Sequence, residues 1–555
     1  MTDTPAPDVA FRAADLDWRA EAAESAPLRE LAARIDALES APGAEVLKRN
    51  LVRSVWRVPL PDGRRVIVKR YRVAGAEQLV KYLVRPSRAR TEWEIGRALE
   101  RAGLAAAVPL AYAERRSGGA LRDAALVTRE IPDALHLNAY VERHLRGDAT
   151  RDALRAAFYA ELGRFARRMH DAGFAHRDFH GGNLLVNGPP ESPRLHLIDL
   201  HSARRRRRVS PRASWRDLVK LLHSLRDDTT AEERLHIVRS YARSGTEDFS
   251  AALDGEKLSL RLERAIAGLE RVRVRSRTAR CLVRSTAFDV ARVEGCRVYH
   301  LRTLPAADAV ALALAHCRDV AARAPGVLKD QRRSALSRQR LGAQGVIVKQ
   351  YRDAWWERVR NLVRPRALSA WVAGNGLRVR GFDAAQPLAL VLRGRGLAMR
   401  DAFLVMEDLD PARRADLVAL ARYAGDEASS RRHEKRALVG AAAALVRRLH
   451  AAGVYHADLK AVNLFLRGDV AAGRFVLADY DRVRLDREVS PRRRIKNLAQ
   501  LSASVPVCVS LADRLRFFRA YAEGDETAQR DWKRWARGVI DACRDKIVVG
   551  MKPIE

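Results

Sequence analysis

Cysteine is scarce in this sequence, and its spacing excludes the sites that cysteine most often builds. The chain has 555 residues and five cysteines, no two of which form a C-x-x-C pair. An odd number of cysteines with this spacing argues against both a disulfide framework and a zinc cluster. We therefore expect the protein to work in a reducing compartment. The five are Cys281, Cys296, Cys317, Cys508 and Cys543.

Long apolar runs and a secretory signal are also missing. The most apolar stretch, Ala437 to Val446, has about ten residues and is followed by Arg447 and Arg448. A helix needs roughly 20 apolar residues to cross a bilayer. The first forty residues carry acidic side chains where a signal peptide needs a basic start and an apolar core. These absences predict a cytoplasmic protein whose apolar stretch is a buried helix.

Proline, glycine and acidic residues are all in short supply. With 21 Pro, 33 Gly and 47% hydrophobic residues, the chain can bury sizeable cores, and its length allows about three domains or two large ones. Only 68 Asp and Glu face 103 Lys and Arg, a formal net charge of +35. This excess predicts a polyanionic partner, such as nucleic acid, anionic lipid or a phosphorylated sugar. Because aromatic residues are 6% and no nucleic-acid-binding motif is present, we expect no nucleic acid.

The chain contains one pattern twice, at an offset of 280 residues. VIVKRYR at 66–72 returns as VIVKQYR at 346–352, and RRMHDAGFAHRDFHGGNL at 167–184 returns as RRLHAAGVYHADLKAVNL at 447–464. A period this long is not that of a solenoid, so we predict two copies of one domain. The expected plan is an N-terminal tail at 1–43, a first domain at 44–271, a connector at 272–323 and a second domain at 324–555.

Within each copy, strand-like patterns precede helix-like patterns. In the first copy, two strand-like stretches flank Pro61-Asp62-Gly63, which predicts a hairpin over residues 54–70. Apolar residues at helical spacing over 160–172 end at a glycine, which predicts a helix. Further helices are expected at 214–225 and 231–242. This order predicts an α+β unit of two lobes, the N-lobe rich in strands and the C-lobe rich in helices.

The polar residues of the first copy have the order and spacing of phosphoryl-transfer sites. Asp178 and Asn183 lie five residues apart before a short apolar strand, and Asp199 ends the next one. Lys69 is the only charge inside its strand, and Glu92 on the following helical stretch could pair with it. Phosphoryl transfer uses a carboxylate for the attacking hydroxyl, an Asn and an Asp for magnesium, and a lysine for the donor phosphates. All of these types are present.

The second copy repeats this set with one exception. It retains the lysine, the two aspartates and the asparagine as Lys349, Asp458, Asp479 and Asn463. Alignment of Trp93 with Trp371 puts Ala370 where Glu92 stands, so the ion pair of the lysine is missing. Glu357, eight residues after the lysine, is the nearest substitute acid. The second copy is therefore expected to be the weaker of the two, and it could be degenerate.

The ordered set resembles the protein-kinase-like superfamily, and its finer pattern resembles the lipopolysaccharide kinase (Kdo/WaaP) family. The first copy is similar to core heptose kinases in the segments HRDFHGGNLLV and LHLIDLHSARRR. The second copy is similar to Kdo kinases in the segments YHADLKAVNLFL and LADYDRVRL. The resemblance covers most of residues 45–250 and 325–525. One departure is that no G-x-G-x-x-G precedes Lys69.

The resemblance implies two tandem bilobal protein-kinase-like domains and a kinase that uses ATP and Mg²⁺. Its acceptor would be a heptose or Kdo sugar of the lipopolysaccharide core or a lipid A-linked sugar, at the anionic inner face of the cytoplasmic membrane. His176 and Asp217 would support the catalytic loop. The implied roles are catalytic base for Asp178 and Asp458, magnesium ligand for Asn183, Asp199, Asn463 and Asp479, and nucleotide contact for Lys69 with Glu92 and for Lys349.

Several alternatives stay open at the level of sequence. The acceptor could be another small molecule or a protein, or the chain could be a pseudokinase scaffold for envelope enzymes. The run Arg204 to Arg208 could bind substrate phosphates or lipid headgroups, or be a solvated loop. His180, inside the catalytic loop, could touch substrate or solvent. His170 and His450 are expected to be packed, hydrogen-bonded core histidines.

Overall fold

The computed structural model of the chain divides into two compact units, residues 1–270 and 271–555, which are described separately. Within the part of the chain that the structure describes, no helix is both long and apolar enough to cross a membrane. The described residues are 8–50, 52–73, 82–83, 85–147, 151–243, 255–352, 365–394, 401–424, 430–486 and 488–550.

The N-lobe of the first unit is built on an antiparallel sheet of seven strands in the order β1-β2-β6-β7-β5-β4-β3. The predicted hairpin is confirmed as β4 and β5, and Gly63 takes the left-handed conformation (φ +82°) that its turn requires. The strands are β1 Asp8–Ala13, β2 Leu16–Glu21, β3 Glu45–Arg49, β4 Arg53–Pro59, β5 Arg65–Arg72, β6 Pro109–Ser117 and β7 Ala120–Arg129.

Two helices cover opposite faces of this sheet. Helix α1 (Ser25–Ala33) packs on one face in a core that includes Trp18 and Trp56. Helix α2 (Arg88–Arg101) places Trp93 against the other face. The Ser87 hydroxyl accepts the Arg90 N–H at 3.0 Å, which caps the first turn of α2. The helix that carries Glu92 is thereby fixed against the strand that carries Lys69.

The C-lobe of the first unit is mainly helical, and its short strands hold the polar loops. The predicted helices are present, and each ends within one residue of the predicted end. A buried core around Phe158 and Leu222 lies between them. The helices are α3 Leu137–Tyr140, α4 Asp152–Asp171, α5 Pro211–Ser224, α6 Ala231–Arg243 and α7 Gly255–Ala279, the last of which continues past residue 270 into the second unit. The strands are β8 Leu135–His136, β9 Phe174–His176, β10 Leu184–Asn187, β11 Arg194–Leu197 and β12 Ala203–Arg205.

The second unit has the same organisation. Its seven-stranded antiparallel sheet has the order β13-β14-β18-β19-β17-β16-β15, so the predicted α+β fold with two lobes is confirmed in both units. The strands are β13 Phe288–Val293, β14 Cys296–Leu301, β15 Val327–Gln331, β16 Ser334–Leu341, β17 Gln344–Tyr351, β18 Pro387–Arg393, β19 Asp401–Glu407, β20 Arg413–Arg414, β21 Val454–His456, β22 Leu464–Leu466, β23 Phe475–Leu477 and β24 Val483–Leu485.

The helices of the second unit follow the same sequence of elements. Helix α8 covers one face of the sheet, as α1 does in the first unit, and α9 packs Trp371 into the core on the other face. The helices are α8 Ala306–Ala322, α9 Arg366–Val379, α10 Ala415–Tyr423, α11 Arg432–Ala451, α12 Pro491–Ser504, α13 Leu511–Ala522, α14 Glu526–Arg530 and α15 Trp532–Gly550.

The segments expected to be a tail and a connector contain strands of the two sheets, which corrects the expected plan. Strand β2 pairs with β6, and β14 pairs with β18. Each is joined to the preceding strand by two residues with positive φ, Ala14-Asp15 and Glu294-Gly295, the conformation of a tight hairpin turn. These turns are 280 residues apart (294 − 14), so the repeated unit includes both hairpins.

Candidate active site

In the first unit, Lys69 on β5 meets carboxylates from two other elements. Its Nζ lies 2.9 Å from Glu92 Oε2 on α2 and 2.7 Å from Asp199 Oδ1, just after β11. The side chain of Lys69 is 9% exposed and that of Glu92 is 3% exposed. Burial alone would lower the pKa of Lys69, but the two carboxylates raise it. The lysine is thus held as a cation in the cleft, and the predicted pairing with Glu92 is present.

The second oxygen of Glu92 is also engaged. Tyr71 donates its hydroxyl to Glu92 Oε1 at 2.5 Å, and His201 Nδ1 lies 3.4 Å from the same atom. Burial would raise the pKa of Glu92, but the charge of Lys69 and contact with His201 lower it to about 2. Glu92 is therefore ionised at neutral pH and bridges the lysine and the tyrosine.

Asp199 has two basic partners and an unusual backbone. Arg53 Nη1 on β4 lies 3.0 Å from both carboxylate oxygens, in addition to the contact with Lys69. Although burial would raise its pKa, the charges of Lys69 and Arg53 lower the pKa of Asp199 well below its usual range. Its φ is +57°, and Asp479 in the second unit has φ +47°. Strained residues of this kind cluster at functional sites.

The catalytic loop brings Asn183 next to the strand end that carries Asp199. Asn183 Nδ2 donates to the carbonyl of Asp178 at 2.8 Å, and the Asn183 carbonyl accepts the N–H of Ile198 at 3.0 Å. The amide oxygen of Asn183 is therefore the atom left for a ligand. The Asp178 side chain is 57% exposed, 3.5 Å from His180 Nε2, and hydrogen bonding with His180 lowers its pKa.

The loop is held from beneath by helix α5. The buried carboxylate of Asp217 accepts the backbone N–H of His176 at 2.8 Å, and Lys220 donates to the carbonyl of Arg177. His176 is itself fully buried. These contacts give His176 and Asp217 the supporting positions that the sequence indicated.

The second unit holds the same loop with different side chains. Asn497 Nδ2 donates to the carbonyl of His456 at 2.6 Å, and Gln500 Nε2 donates to the carbonyl of Ala457 at 2.7 Å. The expected core histidines are confirmed in both units. His170 Nδ1 is 3.0 Å from the hydroxyl of Tyr241, and His450 Nδ1 is 2.9 Å from that of Tyr521.

In the second unit, Lys349 also meets two carboxylates, but the second one comes from a residue that the sequence analysis missed. Its Nζ lies 2.9 Å from Asp479 Oδ1 and 2.8 Å from Asp481 Oδ2. Tyr351 donates its hydroxyl to Asp481 Oδ1 at 2.5 Å. Ala370, which the alignment places where Glu92 stands, is fully buried on α9. Glu357, the substitute acid considered from the sequence, lies outside the described residues.

The rest of the second site matches the first. Asn463 Nδ2 donates to the carbonyl of Asp458 at 3.0 Å, as Asn183 does to Asp178. A lysine, Lys460, takes the place of His180 and lies 2.9 Å from Asp458 Oδ1. In each unit these contacts therefore join the strand lysine to the strand-end aspartate, and the asparagine to the aspartate of the catalytic loop.

The donor set of each cleft fits magnesium bound together with a nucleotide. Magnesium is usually held by one or two protein oxygens and by phosphate oxygens, so an all-protein cage is not required. Among the described residues, no group of three or more His, Cys, Asp or Glu is arranged to hold a metal. Asn183 and Asp199 supply an amide oxygen and a carboxylate at one edge, beside a cationic lysine suited to phosphate.

The arginine run of the first unit begins on β12. Arg204 pairs with Ala175 of β9 in the sheet, and the guanidinium of Arg205 lies 5.9 Å from the centre of the Phe174 ring. All five arginines from Arg204 to Arg208 are exposed.

One family model matches both halves of the chain, and two named relatives each match about a third of it or less. The model of the lipopolysaccharide kinase (Kdo/WaaP) family matches residues 37–241 and 317–534. The lipopolysaccharide core heptose(I) kinase WaaP of Pseudomonas aeruginosa is 32% identical over 191 residues, which are 33% of this chain and 71% of that protein. The protein of the same name from Escherichia coli is 29% identical over 158 residues, which are 27% of this chain and 58% of that protein.

A solved structure described as WaaP in complex with acyl carrier protein is 26% identical, with a TM-score of 0.34, and the match covers 44% of this chain and 97% of that one. The two segments matched by the family model include the lysine, the catalytic loop and the strand-end aspartate of both clefts. Each unit contains one of these two matched segments. The chain belongs to the lipopolysaccharide kinase (Kdo/WaaP) family, and it carries that family's domain twice, in tandem.

Proposed function

We propose that this protein is an ATP- and Mg²⁺-dependent kinase that phosphorylates a heptose or Kdo sugar of the lipopolysaccharide inner core. The observation that carries the proposal is the meeting of Lys69, Glu92 and Asp199 within 3 Å in the first cleft, together with membership of the family. Heptose is the first acceptor to test, because both relatives are named heptose(I) kinases. We place the boundary between the two proposed kinase domains near residue 270 of the sequence.

The mechanism assigns one task to each side chain of the cleft. Asp178 is ionised, because its pKa is lowered, and it orients the sugar hydroxyl and accepts its proton. Lys69 holds the donor phosphates, and Glu92 fixes the position of its ammonium. Asn183 and Asp199 would hold a magnesium ion, which when bound would neutralise charge on the phosphate oxygens. In the second cleft the corresponding residues are Asp458, Lys349, Asn463 and Asp479.

The acceptor suggests where the protein works. A lipid-linked core sugar is presented at the inner face of the cytoplasmic membrane, and a chain with a net charge of +35 is attracted to anionic lipid there. We propose peripheral binding that is electrostatic, with Arg204 to Arg208 contributing. Binding to acidic vesicles should then fall steeply as salt rises, because charges on the surface are screened over about 8 Å at physiological ionic strength. Binding that is unchanged by salt would contradict this proposal.

The activity is tested with purified core oligosaccharide and the full chain, with the second site silenced by Lys349→Met in the parent and in every variant. Asp178→Ala and Asp199→Ala should both abolish phosphate transfer by the first site, and Asp199→Ala should weaken Mg-ATP binding more, since only Asp199 is a metal ligand. Asp171→Ala is the matched control, because Asp171 is half exposed on α4 and its described ion pair is with Arg167, one turn earlier on the same helix. Wild-type turnover by either cleft variant would refute the assignment.

The acceptor is identified separately. Mass spectrometry of lipopolysaccharide from cells with and without the protein should show the loss of one phosphate group. Activity on aminoglycosides or on generic protein acceptors, with none on the core sugar, would instead indicate a kinase with another acceptor. Mg-ATP binding without turnover on any of these acceptors would indicate a pseudokinase scaffold.

A further inference from the structure

We propose that the second unit contains a second working phosphoryl-transfer site, in which Asp481 replaces the missing helix carboxylate as the positioning residue of Lys349. The proposal rests on the proposed function to the extent that both clefts are taken to bind ATP and Mg²⁺. It goes beyond that function because, judged by its helix alone, the second copy lacks the acid that holds the lysine and would be classed as degenerate.

The first step of the argument is that Asp481 makes the same pair of contacts as Glu92. In the first unit, one oxygen of Glu92 lies 2.9 Å from Lys69 and the other accepts the hydroxyl of Tyr71 at 2.5 Å. In the second unit, one oxygen of Asp481 lies 2.8 Å from Lys349 and the other accepts the hydroxyl of Tyr351 at 2.5 Å. One carboxylate therefore bridges the strand lysine and the strand tyrosine in both sites.

The second step is that two positions change together. The first unit has Glu92 on the helix and His201 two residues after its strand-end aspartate, with 3.4 Å between their side chains. The second unit has Ala370 and Asp481 at these two positions. A carboxylate is lost from the helix and one is gained on the loop, so each lysine faces two carboxylates. Loss of the helix acid without a gain elsewhere is what decay of the site would produce.

The third step concerns what positions the lysine. In the first site, Lys69 depends on the placement of α2, because Glu92 is part of that helix. In the second site, Asp479 and Asp481 lie two residues apart on one loop, so the lysine and the metal ligand are positioned by the same short segment. The second site therefore takes its carboxylates from the loop, and α9 contributes a cation instead of an acid, since Arg366 Nη2 lies 4.0 Å from Asp481 Oδ2.

The test uses the full chain with the first site silenced by Lys69→Met. Two quantities are measured without any sugar acceptor: magnesium-dependent binding of ATP by calorimetry, and slow turnover of ATP to ADP. We expect binding and turnover to persist, and Asp481→Ala to lower turnover by ~100-fold, the loss expected for a misplacement of about 1 Å. Asp486→Ala is the matched control, since this partly exposed acid pairs with Arg493 outside the cleft.

A transplantation experiment separates positioning from folding. In the silenced chain, the double change Ala370→Glu with Asp481→His rebuilds the arrangement of the first site and should restore turnover to within about tenfold of the parent. The reciprocal change, Glu92→Ala with His201→Asp, is made in a chain whose second site is silenced by Lys349→Met. It should retain far more turnover than Glu92→Ala alone.

Each outcome decides the proposal. It is overturned if the Lys69→Met chain neither binds nor turns over ATP, if Asp481→Ala behaves as Asp486→Ala does, or if neither double change exceeds its single change. A wrong sugar acceptor would leave all of these nucleotide measurements as expected, so failure of the proposed function is distinguishable. Thermal unfolding of each variant is compared with its parent, and rescue by the double change shows that a loss in the single variant was not misfolding.

Discussion

Glu92→Gln is the most informative single change in the first unit, because it removes a charge and keeps the volume of the side chain. The amide oxygen of glutamine can still accept the hydroxyl of Tyr71, but the partner charge of Lys69 is lost. The pKa of Glu92 falls from 4.5 to about 2 on folding. Such a fall means that the ionised carboxylate of Glu92 contributes roughly 3 kcal/mol to the free energy of unfolding.

The sign of the pH dependence follows from the direction of the shift. Because the pKa of Glu92 is lower in the folded protein, its contribution is complete above the unfolded value of 4.5 and is lost as the pH falls towards about 2. The difference in stability between wild type and Glu92→Gln should therefore be constant from pH 7 to about pH 5. Below that it should shrink by about 1.4 kcal/mol per pH unit.

Hydrogen exchange is the suitable assay, since a chain of two units does not unfold in one step. Protection of the amides of residues 65–72 reports on the strand of Lys69, and residues 346–352 of the second unit serve as the control within the same sample. The variant should lose protection in the first segment only. A difference between wild type and variant that does not change with pH would refute the reasoning, because it would assign the loss to packing and not to charge.

Two further predictions concern the C-lobe of the first unit. Gly163→Ala should lower the stability of that unit by about 1–3 kcal/mol in denaturant unfolding, because a Cβ there would lie 2.4 Å from the carbonyl oxygen of Ile237. A stability equal to that of wild type would show that α4 and α6 can separate without cost. Lys220→Gln should keep most turnover, since Gln500 makes the corresponding hydrogen bond to the loop carbonyl in the second unit. Lys220→Ala should lose about tenfold in kcat. Equal rates for the two variants would contradict this prediction.

The fold and most of the site could be predicted because their signals are local or repeated. Lys69, Asp178 and Asn183 stand in short patterns whose spacing the second copy repeats, and a hairpin or a helix is visible within one window of sequence. The N-terminal hairpins were missed for a different reason. Their turns, Ala14-Asp15 and Glu294-Gly295, have the same backbone conformation but share no residue type at either position. The two hairpins therefore repeat in structure, and their sequences give little sign of it.

The partners of the strand-end aspartates could not be predicted, because they depend on contacts between distant segments. Arg53 reaches Asp199 across 146 positions of sequence, and no spacing rule connects them. Ser334 occupies the place of Arg53 in the second unit, opposite Tyr351 in the sheet as Arg53 is opposite Tyr71. The signal for Asp481 was present as the second acid of the sequence LADYDRVRL, but only the folded chain shows that it takes the place of a helix residue.

Comparison of the two units indicates that the sites retain the same contacts, even where a different residue makes the contact. Asp217 accepts the N–H of His176 beneath the catalytic loop, whereas Asn497 donates to the carbonyl of His456 at the same place. The direction of the hydrogen bond is reversed, yet the backbone of the loop is held in both units. The bridge made by Glu92 and by Asp481 follows the same logic, with the carboxylate supplied from a different element. The absence of the expected helix carboxylate is therefore not enough to judge such a domain inactive. The test is whether any carboxylate still contacts the strand lysine.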